Sequence, residues 1–287
     1  MTTPITTIEE IILSHDVRGM RHLAPHLPAD YATQAARFIL DKPGRVMIAT
    51  GFYILSAGVI ETDGPPGAIA IGNALDKLGY DVSYVTDEHC VEAIRLIDDG
   101  SHEIIEFPIT NHHDSAVFAN ETLAASRPDV LIAIERCGIS EDGIYRNMRA
   151  ADVTQFTAKI DHLFDQHPYS VGIGDGGNEI GMGNLKDIVA ETEGLPDLPT
   201  VTTTTQLMCA AVSNWGGYGL VAALSVLSGK SLLPSVDQEN EWIEKLVAAG
   251  AVDGFSGEVK LYVDGFTLEE NSRCLKALHE LMSEQGL

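Results

Sequence analysis

The 287-residue sequence predicts a doubly wound α/β fold with a mainly parallel sheet. Three observations carry that expectation. Short β-rich runs recur along the chain, and between them lie segments whose apolar residues repeat near 3.6-residue spacing. The run 129–135 is apolar almost throughout, as in a strand covered on both faces. Together the alternation gives the βαβ rhythm of a parallel sheet with crossover helices.

Taken in order, region 1–44 is expected to hold N-terminal helices. Strands are then expected at 45–50, 81–86, 103–107, 129–135, 169–174 and 200–205, the last being the weakest pattern. Helices are expected at 67–78, 88–97, 114–125 and 179–191. The end of the chain changes character, with helices at 236–249 and 268–284 flanking two Val-Asp-Gly turns at 252–254 and 263–265. The whole reads as a single α/β domain, with a core over 45–230 and a small helical and turn appendage over 231–287. No low-complexity linker divides it.

Composition narrows the function classes. Hydrophobic residues make up 45% and charged residues 21% of the chain, and its 27 glycines follow no fixed period, so neither disorder nor a fibre is expected. Eighteen Lys and Arg stand against 42 Asp and Glu, a formal charge of −24. Such a field repels a phosphate backbone, and no nucleic-acid partner is expected. The acidity fits solubility, a salty cytoplasm or a cation site. The Met-Thr-Thr-Pro start has neither a basic region nor an apolar one, and the longest apolar runs are far shorter than the ~18 residues of a membrane span. A cytoplasmic protein with no membrane partner is therefore expected. Cys90, Cys137, Cys209 and Cys274 lie far apart, which points to reduced thiols rather than a disulfide framework or zinc knuckle.

In open α/β sheets ligands bind beyond the carboxyl ends of the strands, so the loops there matter most. After the first strand, Thr50-Gly51-Phe52 leads on to Glu61-Thr62-Asp63-Gly64-Pro65-Pro66-Gly67, where the prolines suit a helix start. Asp63 is a cap or turn residue on one reading and a carboxylate at the mouth of the sheet on the other. The fourth strand runs into Glu135-Arg136-Cys137-Gly138. An acid emerging from a buried strand is costly unless paired, so Glu135 forms a structural ion pair or serves as a ligand or proton-transfer group. Next comes Asp142-Gly143-Ile144-Tyr145-Arg146-Asn147-Met148-Arg149. Arg136, Arg146 and Arg149, with Asn147 among them, are candidates to grip a small anion, since guanidinium presents a planar fork to carboxylate. Solvated salt bridges are the competing reading.

The densest signal is Gly172-Ile173-Gly174-Asp175-Gly176-Gly177-Asn178-Glu179-Ile180-Gly181-Met182-Gly183-Asn184, directly after a strand. Its glycines imply close backbone approach or positive φ. A dinucleotide fingerprint matches by letter, but Asp175 would face the pyrophosphate and the match is rejected. The loop also resembles a magnesium-holding segment of haloacid-dehalogenase-type phosphatases, yet the Asp-x-Asp those enzymes need after the first strand is lacking. What survives is a set of oxygen donors, Asp175, Asn178 and Glu179, suited with Glu135 to magnesium or manganese. Asp63 would complete the shell. Ser213-Asn214-Trp215-Gly216-Gly217 opens an apolar helix, with Asn214 a substrate donor and Trp215 a packing residue. His112-His113-Asp114 reads as a helix start rather than a catalytic group.

At these loops the chain resembles the D-glutamate cyclase C-terminal-domain family. The resemblance is carried by Thr50-Gly51-Phe52, the run 61–67, Glu135-Arg136-x-Gly138, Asp142-Gly143-x-Tyr145-x-Asn147-Met148, the run 173–183 and Ser213-Asn214-Trp215-Gly216-Gly217. It implies a lyase converting D-glutamate to 5-oxo-D-proline and water, on a metal-binding α/β scaffold. In longer relatives this region follows a hydro-lyase-like domain that this sequence lacks. The chemistry calls for a base among Asp63, Glu135 and Glu179, and for Arg136 or Arg149 on the α-carboxylate. It also calls for a divalent metal or an arginine to polarise the γ-carboxylate. The expected partner is a small amino-acid substrate, and a homo-oligomer is compatible. Two other readings remain open, a metal-dependent phosphoesterase and a metal- or anion-binding module whose active partner is a separate domain.

Overall fold

The computed structural model describes residues 7–287. Helices α1 (Ile8–Ile12) and α2 (Tyr31–Leu40) lead, followed by β1 (Arg45–Ala49), β2 (Tyr53–Ile54), β3 (Val59–Ile60), α3 (Pro65–Lys77) and β4 (Asp81–Thr86). The chain continues through α4 (Val91–Ile97), β5 (Glu103–Glu106), α5 (His112–Ser126), β6 (Val130–Ile134), α6 (Asp161–Gln166), β7 (Ser170–Gly174) and α7 (Lys186–Glu191). It ends with β8 (Gln206–Cys209), α8 (Ser213–Ser228), α9 (Val236–Ala248), β9 (Tyr262–Val263), β10 (Phe266–Thr267) and α10 (Leu268–Glu284).

Six strands form one sheet in the order β5-β4-β1-β6-β7-β8, every neighbouring pair parallel. The fold is thus doubly wound α/β. Its order reverses between β1 and β6, and in such sheets the crevice at that reversal is where ligands bind. Alternate side chains enter opposite layers, as the pleat requires. Val46, Ile48, Val130, Ile132 and Ile134 join the larger core with helices α3, α4 and α8, while Met47, Ala49, Leu131 and Ala133 meet Ala119 of α5 and Leu163 of α6 on the other face.

Helix α8 is buried from Ser213 to Ser225, so it is apolar on nearly every side and sits inside the protein. Its first turn packs directly on α3. A Cβ at Gly217 would lie 2.9 Å from the Cα of Gly67, so only glycine lets these two helix starts approach. The contact sets both N-termini side by side above the carboxyl ends of β1 and β6.

Two expectations are corrected. The sixth strand is Gln206–Cys209 and not 200–205. In the threonine run, the Thr202 carbonyl accepts from Gly181 and Gly183, and Val201 N donates to Ile139, so the segment braces the glycine loop instead of extending the sheet. The helix expected over 179–191 begins only at Lys186, after a 3-10 turn over Gly183–Leu185. Glu179 instead bridges antiparallel to Cys137. The second Val-Asp-Gly turn closes the β9–β10 hairpin, with Asp264 at φ 51° and Gly265 at φ 84°, the two positive angles of a type I′ turn.

Candidate active site

Carboxylates converge on the crevice between β1 and β6. Asp63 comes from the loop before α3, Glu135 from the end of β6 and Asp175 from the end of β7. One oxygen of each lies within 4.8 Å of the others, and all three side chains are buried. Glu135 holds this place at φ 45°, a left-handed angle that costs a non-glycine residue on the order of 1 kcal/mol or more. Ser213 anchors the cluster. Its backbone N donates to Asp63 Oδ2 (2.9 Å) and Asp175 Oδ2 (3.0 Å), and its hydroxyl donates to Glu135 Oε2 (2.6 Å). Asn214 N donates to Asp63 Oδ1 (2.8 Å), so Asp63 does cap a helix, but it is α8 and not the adjacent α3.

More acids surround the three. Glu179 Oε1 accepts from Asp175 N (3.1 Å), while its Oε2 is buried without a partner. Asn178 donates to the Arg146 carbonyl (3.1 Å), and its Oδ1 is likewise unpartnered. Glu61 and Asp264 approach from the C-terminal side, where a Cβ on Gly254 would overlap Glu61 Oε2, so only glycine leaves room for that carboxylate. A single guanidinium answers these charges directly. Arg18 Nη1 pairs with Asp175 Oδ1 at 2.5 Å and Nη2 with Asp264 Oδ2 at 2.8 Å.

The electrostatics follow from burial. Desolvation, with Asp264 adding to it, pushes Asp63 up to about 7. Burial raises Asp264 to about 8 against the pull of Arg18. Glu61, Glu135 and Asp175 are driven upward by burial first and by neighbouring acids second. Burial works against the charge of Arg18, yet Asp175, Asp264, Glu135 and Asp63 hold it protonated. So much buried negative charge is costly unless a cation shares it. The donors are all oxygen, three carboxylates are within reach of one ion, and the unpartnered Glu179 Oε2 and Asn178 Oδ1 stand beside them. That set fits a hard divalent cation.

A cavity of about 560 Å³ opens beside the cluster, lined by Glu135, Asp175, Asn178 and Glu179 on its acidic wall and by Arg18 and Arg149 as its cations. Phe52, Ile54, Leu55 and Phe255 supply apolar wall and rim. Arg149 lies at the mouth, its Nη2 donating to the Phe255 carbonyl at 2.7 Å. Asn147 also lines the cavity, but its Oδ1 is held by the backbone N–H groups of Arg149 and Ala151 in a turn.

Three expected substrate ligands have other tasks. Arg136 points away from the cavity and is buried, donating to the Gly51 carbonyl (2.9 Å), Asp87 Oδ2 (2.5 Å) and the Ala158 carbonyl (2.8 Å). It braces the loops after β1 and β4 and pairs with Asp87 rather than with Glu135. Asn214 is fully buried, its Oδ1 accepting from Gly64 and Gly67 and its Nδ2 donating to Thr62 O, so it caps α3 from α8. Arg146 forms a forked pair with Asp142 at 2.6 and 2.7 Å. Trp215 packs in the core and donates to Asn271 at 2.8 Å. His112 starts α5 behind the Asn111 cap and meets His162 at 3.1 Å, outside the cavity lining. All four cysteines are free and buried.

Sequence reasoning missed Arg18 and Asp264. Arg18 lies in an irregular loop 45 residues or so from the nearest other site residue, and Asp264 looked like an ordinary turn residue. The one available signal was the Val-Asp-Gly pair itself, because the carboxylate of each turn is buried at the site's edge.

Comparison with known proteins shows which sequences the chain is similar to. The family model described as D-glutamate cyclase-like, C-terminal, matches residues 8–279. The chain is 31% identical over 290 residues to a human protein named D-glutamate cyclase, mitochondrial, covering 86% of this chain and 46% of that one. It therefore spans about half the length of that relative. Among the described residues, no helix is long and apolar enough to cross a membrane.

Proposed function

Because the chain belongs to the D-glutamate cyclase-like C-terminal family, we propose that its crevice cyclises D-glutamate to 5-oxo-D-proline and water with a divalent cation, magnesium or manganese, at the acidic cluster. The observation that carries this reading is the meeting of three buried carboxylates, an unpartnered Glu179 oxygen and two guanidinium groups around one cavity. Asp63, Glu135 and Asp175 would hold the cation. Bound there, it would supply Lewis-acid polarisation of the γ-carboxylate and neutralise charge as an oxygen leaves.

The protein's own groups account for the remaining steps. Arg149, at the mouth, holds the α-carboxylate and sets the amine toward the acidic wall. Glu179 Oε2 takes a proton from the α-ammonium, so that nitrogen can attack the γ-carbon. The C–N bond forms and one γ C–O bond breaks. The nitrogen gives up two protons in all, keeping one as the lactam N–H, and both leave on the departing oxygen as water. Asp63 already spends both oxygens on the α8 N-terminus, which suits a fixed ligand better than a base.

The test is incubation of the purified chain with D-glutamate and manganese or magnesium, following 5-oxoproline by proton NMR. Product above a protein-free control, lost with chelator and with Glu179→Gln, is expected. No product over a day would sink the reading and leave a binding module that needs another domain.

A further inference from the structure

Arg18 is more than a staple between the N-terminal loop and the β9–β10 turn. Its backbone is fixed by Asp16, whose carboxylate accepts from the N–H groups of Arg18, Gly19 and Arg21 at 3.0, 3.1 and 2.9 Å. The side chain then reaches across the cavity wall to Asp175 and Asp264 and keeps 14% of its surface exposed. Asp175 is the shared element. Its Oδ2 is held by Ser213 N, and its Oδ1 is the atom that Arg18 occupies. The same carboxylate belongs to the trio that can close on a cation.

A guanidinium and a divalent cation on one carboxylate repel each other in a low-dielectric site. Entry of the cation therefore weakens the hold of Asp175 on Arg18. The freed fork needs another anion, and a dicarboxylate substrate brings two. Arg149 lies at the mouth and Arg18 lies against the cluster, and both guanidinium groups line the same cavity.

We propose, resting on the cyclase reading above, that Arg18 is the receptor for the substrate's γ-carboxylate, and that it exchanges Asp175 and Asp264 for that group when a divalent cation enters the Asp63–Glu135–Asp175 cluster. Cation and dicarboxylate then bind with positive linkage, each strengthening the other by the same factor. Arg18 sets the sign of that linkage, because its charge competes with the cation until substrate draws it away.

The measurement is manganese binding to the whole chain, by electron paramagnetic resonance, with and without saturating D-glutamate. Wild type is expected to bind Mn²⁺ about tenfold more tightly with D-glutamate present. Arg18→Gln is expected to bind Mn²⁺ about tenfold more tightly than wild type without D-glutamate, and to gain nothing from adding it. Arg18→Lys keeps the competing charge without the fork, so its Mn²⁺ affinity stays near wild type while its response to D-glutamate shrinks. Should Arg18→Gln fail to fold, as circular dichroism would show, Arg18→Lys carries the test by itself. Wild-type affinity and wild-type response in the folded variants would overturn the role of Arg18 and leave the cation site standing. A D-glutamate effect absent from wild type would likewise overturn it. No Mn²⁺ binding by any of the proteins would remove the cation site and this inference together.

Discussion

The buried guanidinium of Arg136 donates through Nη1 and Nη2 to two carbonyls and to Asp87, while its Nε has no partner. Replacing Arg136 by Met would leave the Asp87 carboxylate buried and unpaired. Arg136→Met is expected to cost about 3–5 kcal/mol in urea unfolding. Arg149, exposed at the cavity mouth, is expected to behave in the opposite way. Arg149→Gln should change stability by less than about 0.5 kcal/mol and raise KM for D-glutamate with kcat little altered. A large stability loss in the second variant, or a small one in the first, would reverse these assignments. The sequence could not separate the two arginines, because both stand in loops rich in polar residues at the same end of the sheet. What was legible was the position of Asp63, Glu135, Asp175, Asn178 and Glu179, since each stands just beyond an apolar strand or just before a helix with Pro or Gly at its start. Which of them face one another depends on the reversal of strand order between β1 and β6, a property of the whole sheet.

Helix α8 ties the site to the C-terminal helices through a buried polar line. Trp215 Nε1 donates to Asn271 Oδ1, and Asn271 Nδ2 donates to Glu239 Oε1 at 2.8 Å, joining α8 to α10 and α9. Burial pushes Glu239 up to about 7, with Tyr218, Asn271 and Lys276 opposing the rise. The sign follows from linkage. The folded state holds this proton more tightly than the unfolded chain does, so the contribution is complete below the ordinary glutamate range, near 4.5, and is lost as pH rises through about 7. Glu239→Gln removes that titration while keeping the acceptor for Asn271. Relative to wild type, the variant is expected to gain up to about 3 kcal/mol between pH 5 and pH 8 in chemical denaturation. Parallel pH profiles for the two proteins would refute the assignment. The helices of this region, 236–249 and 268–284, were plain in the sequence because their apolar stripes and caps are local features, Ser235 for α9 and a Thr267–Glu270 capping box for α10. The strand β8 was not plain. Four β-branched threonines next to it carried the stronger local preference, and only the hydrogen-bonding demand of the glycine loop decided where they went.

The molecule as a whole carries a formal charge of −24, and part of that charge is concentrated inside it. Glu61, Asp63, Glu135, Asp175, Glu179, Asp253 and Asp264 are all buried within one region, answered by Arg18 and, at 3.7 Å from Asp253, by the partly exposed Lys260. Like charges confined in this way oppose folding, and a cation that binds the folded form reverses the effect by mass action. At a free concentration 100 times its Kd, Mn²⁺ or Mg²⁺ is expected to stabilise the chain by about 2.7 kcal/mol, seen as a rise in Tm of roughly 5 °C or more. Chelator should return Tm to its starting value. Sodium chloride at matched ionic strength should do much less, because screening acts on the exposed charges and hardly reaches the buried cluster. Asp175→Asn separates specific binding from general charge relief. It keeps the shape of the side chain while removing a charge that the cation would need, so its response to Mn²⁺ should fall well below the wild-type rise. If the variant responded as strongly as wild type, the stabilising ion would be bound somewhere other than the crevice between β1 and β6.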